Sequence, residues 1–174
     1  MKTEHAKDNI RTGIQLVTFR LGAESYGIPV WNVREIIRPV DIFPFPGMKE
    51  PVEGVINLRG EIIPILRMQP ILGVKTEQVE GGERKRRLII MDNEGGGFGF
   101  AVDEVWEVVR VPADAVQPSP EISDGMIDPG VIIGITQITG RVIVCIDPQK
   151  LVSSRLDMKE LEVECMEAHG ASER

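Results

Sequence analysis

A chain of 174 residues that is 42% hydrophobic, with mean hydropathy near zero, has the make-up of a globular protein large enough to bury a core. No apolar run approaches the roughly 18 residues that span a membrane, and the charged opening Met1 to Asp8 lacks an apolar signal core, which predicts an unexported protein. A net charge of −7 argues against broad binding to nucleic acid or to an anionic membrane.

Residues 1–14 read as a flexible N-terminus. Gln15 to Leu21 then alternates Leu16, Phe19 and Leu21 with polar positions, and Gly22-Ala23 turns it into a return strand, Glu24 to Ile28. Val30, Val33, Ile36 and Ile37 fit a short helical turn running into a strand. Pro39 to Pro51 holds five residues that break ladders and helices (Pro39, Pro44, Pro46, Gly47, Pro51), so it reads as a loop. Gly54 to Leu58 and Glu61 to Leu66 form a hairpin around Arg59-Gly60. Arg67 to Leu72 is a short helical segment ending at Gly73, and Lys75 to Arg87 is a polar linker. Strands follow at Leu88 to Met91 and Phe98 to Val102 around a turn, then at Val105 to Val111. Pro112 to Pro129 is a second proline-punctuated loop before strands at Val131 to Ile138 and Val142 to Ile146. Asp147-Pro148 is a helix start, an acid able to cap free amides before a proline that has no N–H to lose. Ser154 to Ala168 has helical composition, with Met158, Leu161 and Cys165 on one face, and 169–174 is a tail.

The second half repeats the first. Tyr26-Gly27-Ile28-Pro29-Val30, leading through Val33 to Glu35-Ile36-Ile37-Arg38, is answered by Phe98-Gly99-Phe100-Ala101-Val102, leading through Val105 to Glu107-Val108-Val109-Arg110, a spacing of 72 (26 to 98). Gly54 to Ile63 is answered by Gly134 to Ile143, a spacing of 80 (54 to 134), so the second copy carries eight extra residues (72 to 80) within its proline-rich loop. Many short strands, repeated twice, indicate two small β-barrels or sandwiches, roughly 15–80 and 84–152, rather than a βαβ sheet.

Chemistry is sparse. His5 and His169 are the only histidines and lie near the two ends, which disfavours a histidine-based acid/base or metal site. Cys145 has no close cysteine or histidine partner, and both Cys145 and Cys165 read as buried thiols of a reducing compartment. Gly95-Gly96-Gly97 lacks the Gly-Lys-Ser/Thr ending of a phosphate loop and reads as a turn. Arg84-Lys85-Arg86-Arg87 is a basic run without interleaved aromatics, which suits a solvated linker or strand-edge gatekeeper better than a nucleic-acid patch. No catalytic, cofactor or metal constellation stands out, so the residues suit a binding module.

Two charged residues carry more information. Glu35 lies on the short amphipathic segment and has the counterpart Glu107. Arg59 occupies a hairpin bend whose counterpart is Thr139. An arginine present in one copy only is not required by the repeated fold. It either solvates a turn, or it contacts a partner or orients a carboxylate such as Glu35 at a binding surface.

Leu21, Tyr26-Gly27-Ile28, Val33-Arg34-Glu35-Ile36, the block Gly54-Val55-Ile56-Asn57-Leu58-Arg59-Gly60, Ile63-Pro64-Ile65 and Asp147 resemble the CheW family of bacterial chemotaxis coupling proteins, from about Gln15 to Leu156. The resemblance implies a mainly β fold of two SH3-like five-stranded barrels with short helices and a C-terminal helix (154–168), within a CheW-like domain spanning 15–156. It implies no enzymatic activity and no cofactor. It also implies a cytoplasmic adaptor that joins the cytoplasmic tip of methyl-accepting chemoreceptors to the regulatory domain of the histidine kinase CheA, with no nucleic-acid partner and no direct membrane insertion. Val33, Glu35, Gly54 and Arg59 fall on the family's partner-binding positions, and Glu35 is expected to pair with Arg59. A paralogue serving another motility array would share these residues. The length leaves no room for the receiver domain of a CheV-type relative.

Overall fold

The computed structural model describes residues 13–75, 82–94, 96–119, 130–157, 161 and 167. Among them ten strands dominate: β1 (Ile14–Leu21), β2 (Glu24–Pro29), β3 (Val33–Ile37), β4 (Val52–Leu58), β5 (Glu61–Arg67), β6 (Arg87–Met91), β7 (Phe98–Val102), β8 (Glu104–Val111), β9 (Ile132–Ile138) and β10 (Arg141–Ile146). The described residues also include the short helices α1 (Met68–Leu72) and α2 (Pro148–Ser153), with single 3-10 turns at Val30–Asn32, Gly82–Arg84 and Ala113–Ala115.

Local chemistry sets the boundaries. Arg59 and Gly60 have φ of 53° and 88°, and Thr139 and Gly140 have 48° and 82°. Two successive positive φ values suit the tight hairpin turn whose twist matches the flanking strands. Helix α1 stops at Gly73, whose φ of 68° is left-handed. Helix α2 starts where the sequence predicts: the Asp147 carboxylate accepts the N–H groups of Gln149 and Lys150 at 3.0 and 3.1 Å, and Pro148 follows it. This helix ends at Ser153, before the expected 154–168 segment. Of that segment Leu161 and Glu167 are helical, and 158–160, 162–166 and 168 lie outside the described residues.

One sheet runs β8-β1-β2-β10-β9 and the other β3-β6-β7-β5-β4. Replacing each strand of the second by its repeat partner (β3 by β8, β6 by β1, β7 by β2, β5 by β10, β4 by β9) reproduces the first. Registers repeat as well: Cys145 lies opposite Gly27 in the parallel pair β10–β2, and Ile65 opposite Gly99 in β5–β7. The molecule is thus two SH3-like five-stranded barrels, but they cut across the sequence repeats. Each takes two strands from one copy and three from the other. The division at roughly 15–80 and 84–152 marks repeats, not lobes, because the chain changes sheet between β2 and β3 and again between β7 and β8. The strands β3 to β7 make up the front lobe, and their counterparts the rear lobe.

Three apolar cores follow from this topology. Ile56, Ile63, Ile65, Leu88, Ile90 and Ala101 fill the front lobe, and Ile14, Leu16, Val111 and Cys145 the rear one. The largest core lies between them. It joins Phe19, Leu21, Tyr26 and Ile28 to Leu66, Ile89, Met91, Phe98 and Phe100, with Met68, Ile71, Leu151, Val152 and Leu161 from the helical segments. Along β6, Leu88 and Ile90 turn to the inner core while Ile89 and Met91 turn to the shared one. A strand buried on both faces reads as a continuous apolar run, as Leu88 to Met91 does.

Candidate functional site

Strand β3 lies at one end of the front sheet, and the β4–β5 hairpin at the other. The hairpin tip reaches back to β3 through side chains. Arg59 donates from Nη1 to Glu35 Oε1 at 2.7 Å and from Nη2 to Oε2 at 3.0 Å, a two-pronged charge-assisted contact. The Arg59 side chain is 73% exposed and that of Glu35 25%, so the pair faces solvent. Its hydrogen bond from Arg59 holds the Glu35 carboxyl below the usual carboxylate range, and Glu35 in turn raises the guanidinium. Guanidinium N–H groups beyond the two engaged remain for a partner's carboxylate or carbonyl.

Of the four residues expected at this site, Glu35 and Arg59 are brought together. Val33 is half-buried, where β3 begins, and packs against the shared core. Gly54 is buried beneath the loop that follows β3: a Cβ on it would lie 2.7 Å from the Phe43 carbonyl oxygen and 2.7 Å from Ile42 Cγ2. Its absence lets Phe43 and Val55 exchange backbone hydrogen bonds of 2.8 and 3.0 Å. Gly134 plays the same part under Val116 and Gln117. Gly54 therefore acts on the surface through the loop it supports, which carries Phe43 at 58% exposure.

Beside the first set of charges lies a second, which sequence reasoning misses. Arg34 donates from Nη1 to Glu61 Oε2 at 2.7 Å and from Nε to Asp92 Oδ1 at 2.6 Å. The hydrogen bond from Arg34 lowers the Glu61 carboxyl, and Glu61 and Asp92 together raise the Arg34 guanidinium. The one signal the sequence offers is the complementary order of Arg34-Glu35 and Arg59-Gly60-Glu61. In the rear lobe the counterparts of Arg34 and Glu61 are Trp106 and Arg141, and the guanidinium stacks 4.1 Å above the indole centroid. The two lobes share a backbone and differ in what closes this end of the barrel.

The basic run is engaged internally. Lys85 meets Glu104 at 3.4 Å, Arg86 meets Glu53 at 2.6 Å, and Arg87 donates to the carbonyls of Arg84 and Arg86. Apolar side chains instead reach solvent on both lobes: Trp31, Ile36, Val40 and Phe43 on the front, Val108 and Val142 on the rear. Between the lobes, Asn93 and Phe98 face Gln149, Lys150, Val152 and Ser153 of α2 across a cleft of about 300 Å³. Among the described residues no cluster of histidine, cysteine or acidic side chains has the arrangement of a metal site, and no helix is long and apolar enough to cross a membrane.

Residues 15–156 match the family model of the CheW-like domain. The chemotaxis protein CheW of Treponema pallidum is 34% identical over 142 residues, covering 81% of this chain and 83% of that protein. The chemotaxis protein CheW of Thermotoga maritima is 28% identical over 138 residues, covering 79% and 87%. The crystal structure of the scaffolding protein TtCheW from Thermoanaerobacter tengcongensis superimposes with a TM-score of 0.70 at 30% identity, covering 80% of this chain and 92% of that one. The match spans both barrels, the Glu35–Arg59 pair and the cap of α2, and on that basis the chain belongs to the CheW family of chemotaxis adaptor and scaffolding proteins.

Proposed function

We propose that this protein is a non-enzymatic adaptor that couples methyl-accepting chemoreceptors to a CheA-type histidine kinase at the cytoplasmic face of the membrane. The observation that carries this reading is the solvent-facing Glu35–Arg59 pair, present in one lobe only of a duplicated fold. A structural requirement would repeat with the fold, and this pair does not. Exposed apolar side chains on both lobes supply surface for docking against the kinase's own CheW-like regulatory domain. The cleft between lobes offers an apolar floor and polar rim to the helical tip of a receptor, the helix-in-groove mode. Receptor state then biases the kinase through contacts whose affinity differs between states.

Arg59→Ala tests the reading by titration against the kinase regulatory domain and, separately, a receptor cytoplasmic fragment. The variant is expected to bind one of them at least about fivefold more weakly, as loss of an interface arginine does. Its stability should stay within about 0.5 kcal/mol of the parent, as for an exposed side chain. Unchanged binding to both removes Arg59 from the site. A stability loss large enough to account for weaker binding assigns Arg59 to the fold instead.

A further inference from the structure

We infer that Arg34 is the positioning residue of the Glu35–Arg59 pair, a reading that rests on that pair being a docking site. The front barrel has a gap on this side. In its sheet β3 and β4 are the two ends, and no ladder joins β3 to β4 or β5. The loop after β3 is tied to β4 by the Phe43–Val55 backbone pair, but the hairpin tip that carries Arg59 meets β3 itself through side chains. Two ion pairs of opposite polarity cross the gap: Arg34 of β3 to Glu61 of the hairpin, and Arg59 of the hairpin to Glu35 of β3.

The two pairs are not equally fixed. Arg34 is held on its own side by Asp92, whose backbone N–H donates to the Asn32 carbonyl at 3.0 Å at the end of the β3–β6 ladder. Across the gap Glu61 also accepts the Gly97 N–H at 3.4 Å. The Arg34 guanidinium lies over Gly97 so closely that a Cβ there would come within 3.0 Å of Nη2. Arg59 is 73% exposed and has Glu35 as its ion-pair partner. Glu61 stands two residues from Arg59 across a tight turn that is itself stiffened by the Gly60 N–H donating to Asn57 Oδ1 at 2.9 Å. Fixing Glu61 thus fixes where Arg59 leaves the backbone, and Arg34 is the neighbour of the carboxylate that Arg59 must meet. An exposed ion pair alone gains little against the side-chain freedom it loses. One whose backbones are already clamped is preorganised for a partner. In the rear lobe the clamp positions hold the Trp106–Arg141 stack, and Thr139 offers no charge to Glu107.

A double-mutant cycle on the full chain tests this, using Arg34→Ala, Arg59→Ala and the double variant in titrations with the kinase regulatory domain and the receptor cytoplasmic fragment. Against the partner that Arg59→Ala weakens, Arg34→Ala is expected to cost about three- to tenfold, and to cost nothing further in the Arg59→Ala background. Amide hydrogen exchange at Gly60 should also quicken in Arg34→Ala. If Arg59→Ala weakens binding and Arg34→Ala does not, the positioning role is overturned and the docking site stands. If Arg34→Ala costs the same in both backgrounds, Arg34 acts on the partner or the fold directly, and the positioning role again falls. If neither weakens binding to either partner, the site itself is wrong and the inference goes with it. Should Arg34→Ala fail to fold, Glu61→Gln removes the clamp's acceptor charge with little change of shape and takes its place in the cycle.

Discussion

Arg59 and Thr139 occupy the same left-handed backbone, with φ of 53° and 48°, a region that costs an L side chain about 1–2 kcal/mol. Both lobes bear that cost, so the turn explains the conformation and leaves the choice of arginine to its side chain. That asymmetry between the copies makes the position legible in the sequence. Arg34 is harder to read, because its partners Glu61 and Asp92 lie 27 and 58 residues away and neither pairing has a local signature. The two clamps separate by titration. Glu35 and Glu61 both have lowered carboxyl pKa values, so whatever stability their pairs give is fully present above the ordinary glutamate value of about 4.3. It is lost as pH falls through the lowered ones. Carbon-detected NMR titration should place both below that ordinary value. Arg59→Ala should return Glu35 towards it and leave Glu61 low, since Arg34 still holds Glu61. A Glu35 that stays low in the variant would mean that its hydrogen bond from Arg59 is not the cause.

Period and punctuation are enough to locate most of the strands. Alternation marks β1, proline and glycine bound β4 and β5, and a continuous apolar run marks β6, which is buried on both faces. The loop between β3 and β4 is legible as irregular, yet its attachment is not. Nothing in Phe43 announces a bridge to Val55, and the space that Gly54 leaves open is visible only once the loop lies on it. Gly54→Val should therefore lift the loop rather than alter a contact surface directly. Backbone atoms of Phe43 cannot step aside as a flexible side-chain end can, so overpacking is expected to cost about 1–3 kcal/mol by chemical denaturation. Hydrogen exchange at the Phe43 and Val55 amides should quicken, while that at β8 and β9 stays as it was. Gly134→Val should produce the mirror result, at Gln117 and Ile135. A Gly54→Val protein with parental stability and protected Phe43 would show that the glycine serves something other than the loop.

A sequence repeat tells which strands are alike and is silent about which copy they pair with. That is why the repeat suggests two contiguous lobes while the sheets exchange strands between copies. The exchange has a consequence for the whole molecule. A fragment ending within residues 76–81 carries β1–β2, whose sheet partners β8 and β10 are on the other piece, and β3 and β5, whose partners β6 and β7 are there too. Within each half only two-stranded hairpins remain paired, β1–β2 and β4–β5 in one and β6–β7 and β9–β10 in the other, and such hairpins are marginal in water. The shared core would also be opened, exposing Phe19, Tyr26 and Ile28 on one fragment and Phe98 and Phe100 on the other. Neither half, 1–78 or 79–174, should therefore show a cooperative melt or dispersed amide spectrum alone. Mixed at equal concentration they should regain both, with a midpoint that rises with concentration because folding has become association. The uncut chain should melt in one transition by circular dichroism and by calorimetry, since the largest core is shared by both lobes and neither can lose its strands without opening it. Two folded halves with distinct midpoints would instead require each repeat to close a barrel from its own five strands, against the register of Cys145 with Gly27 and of Ile65 with Gly99.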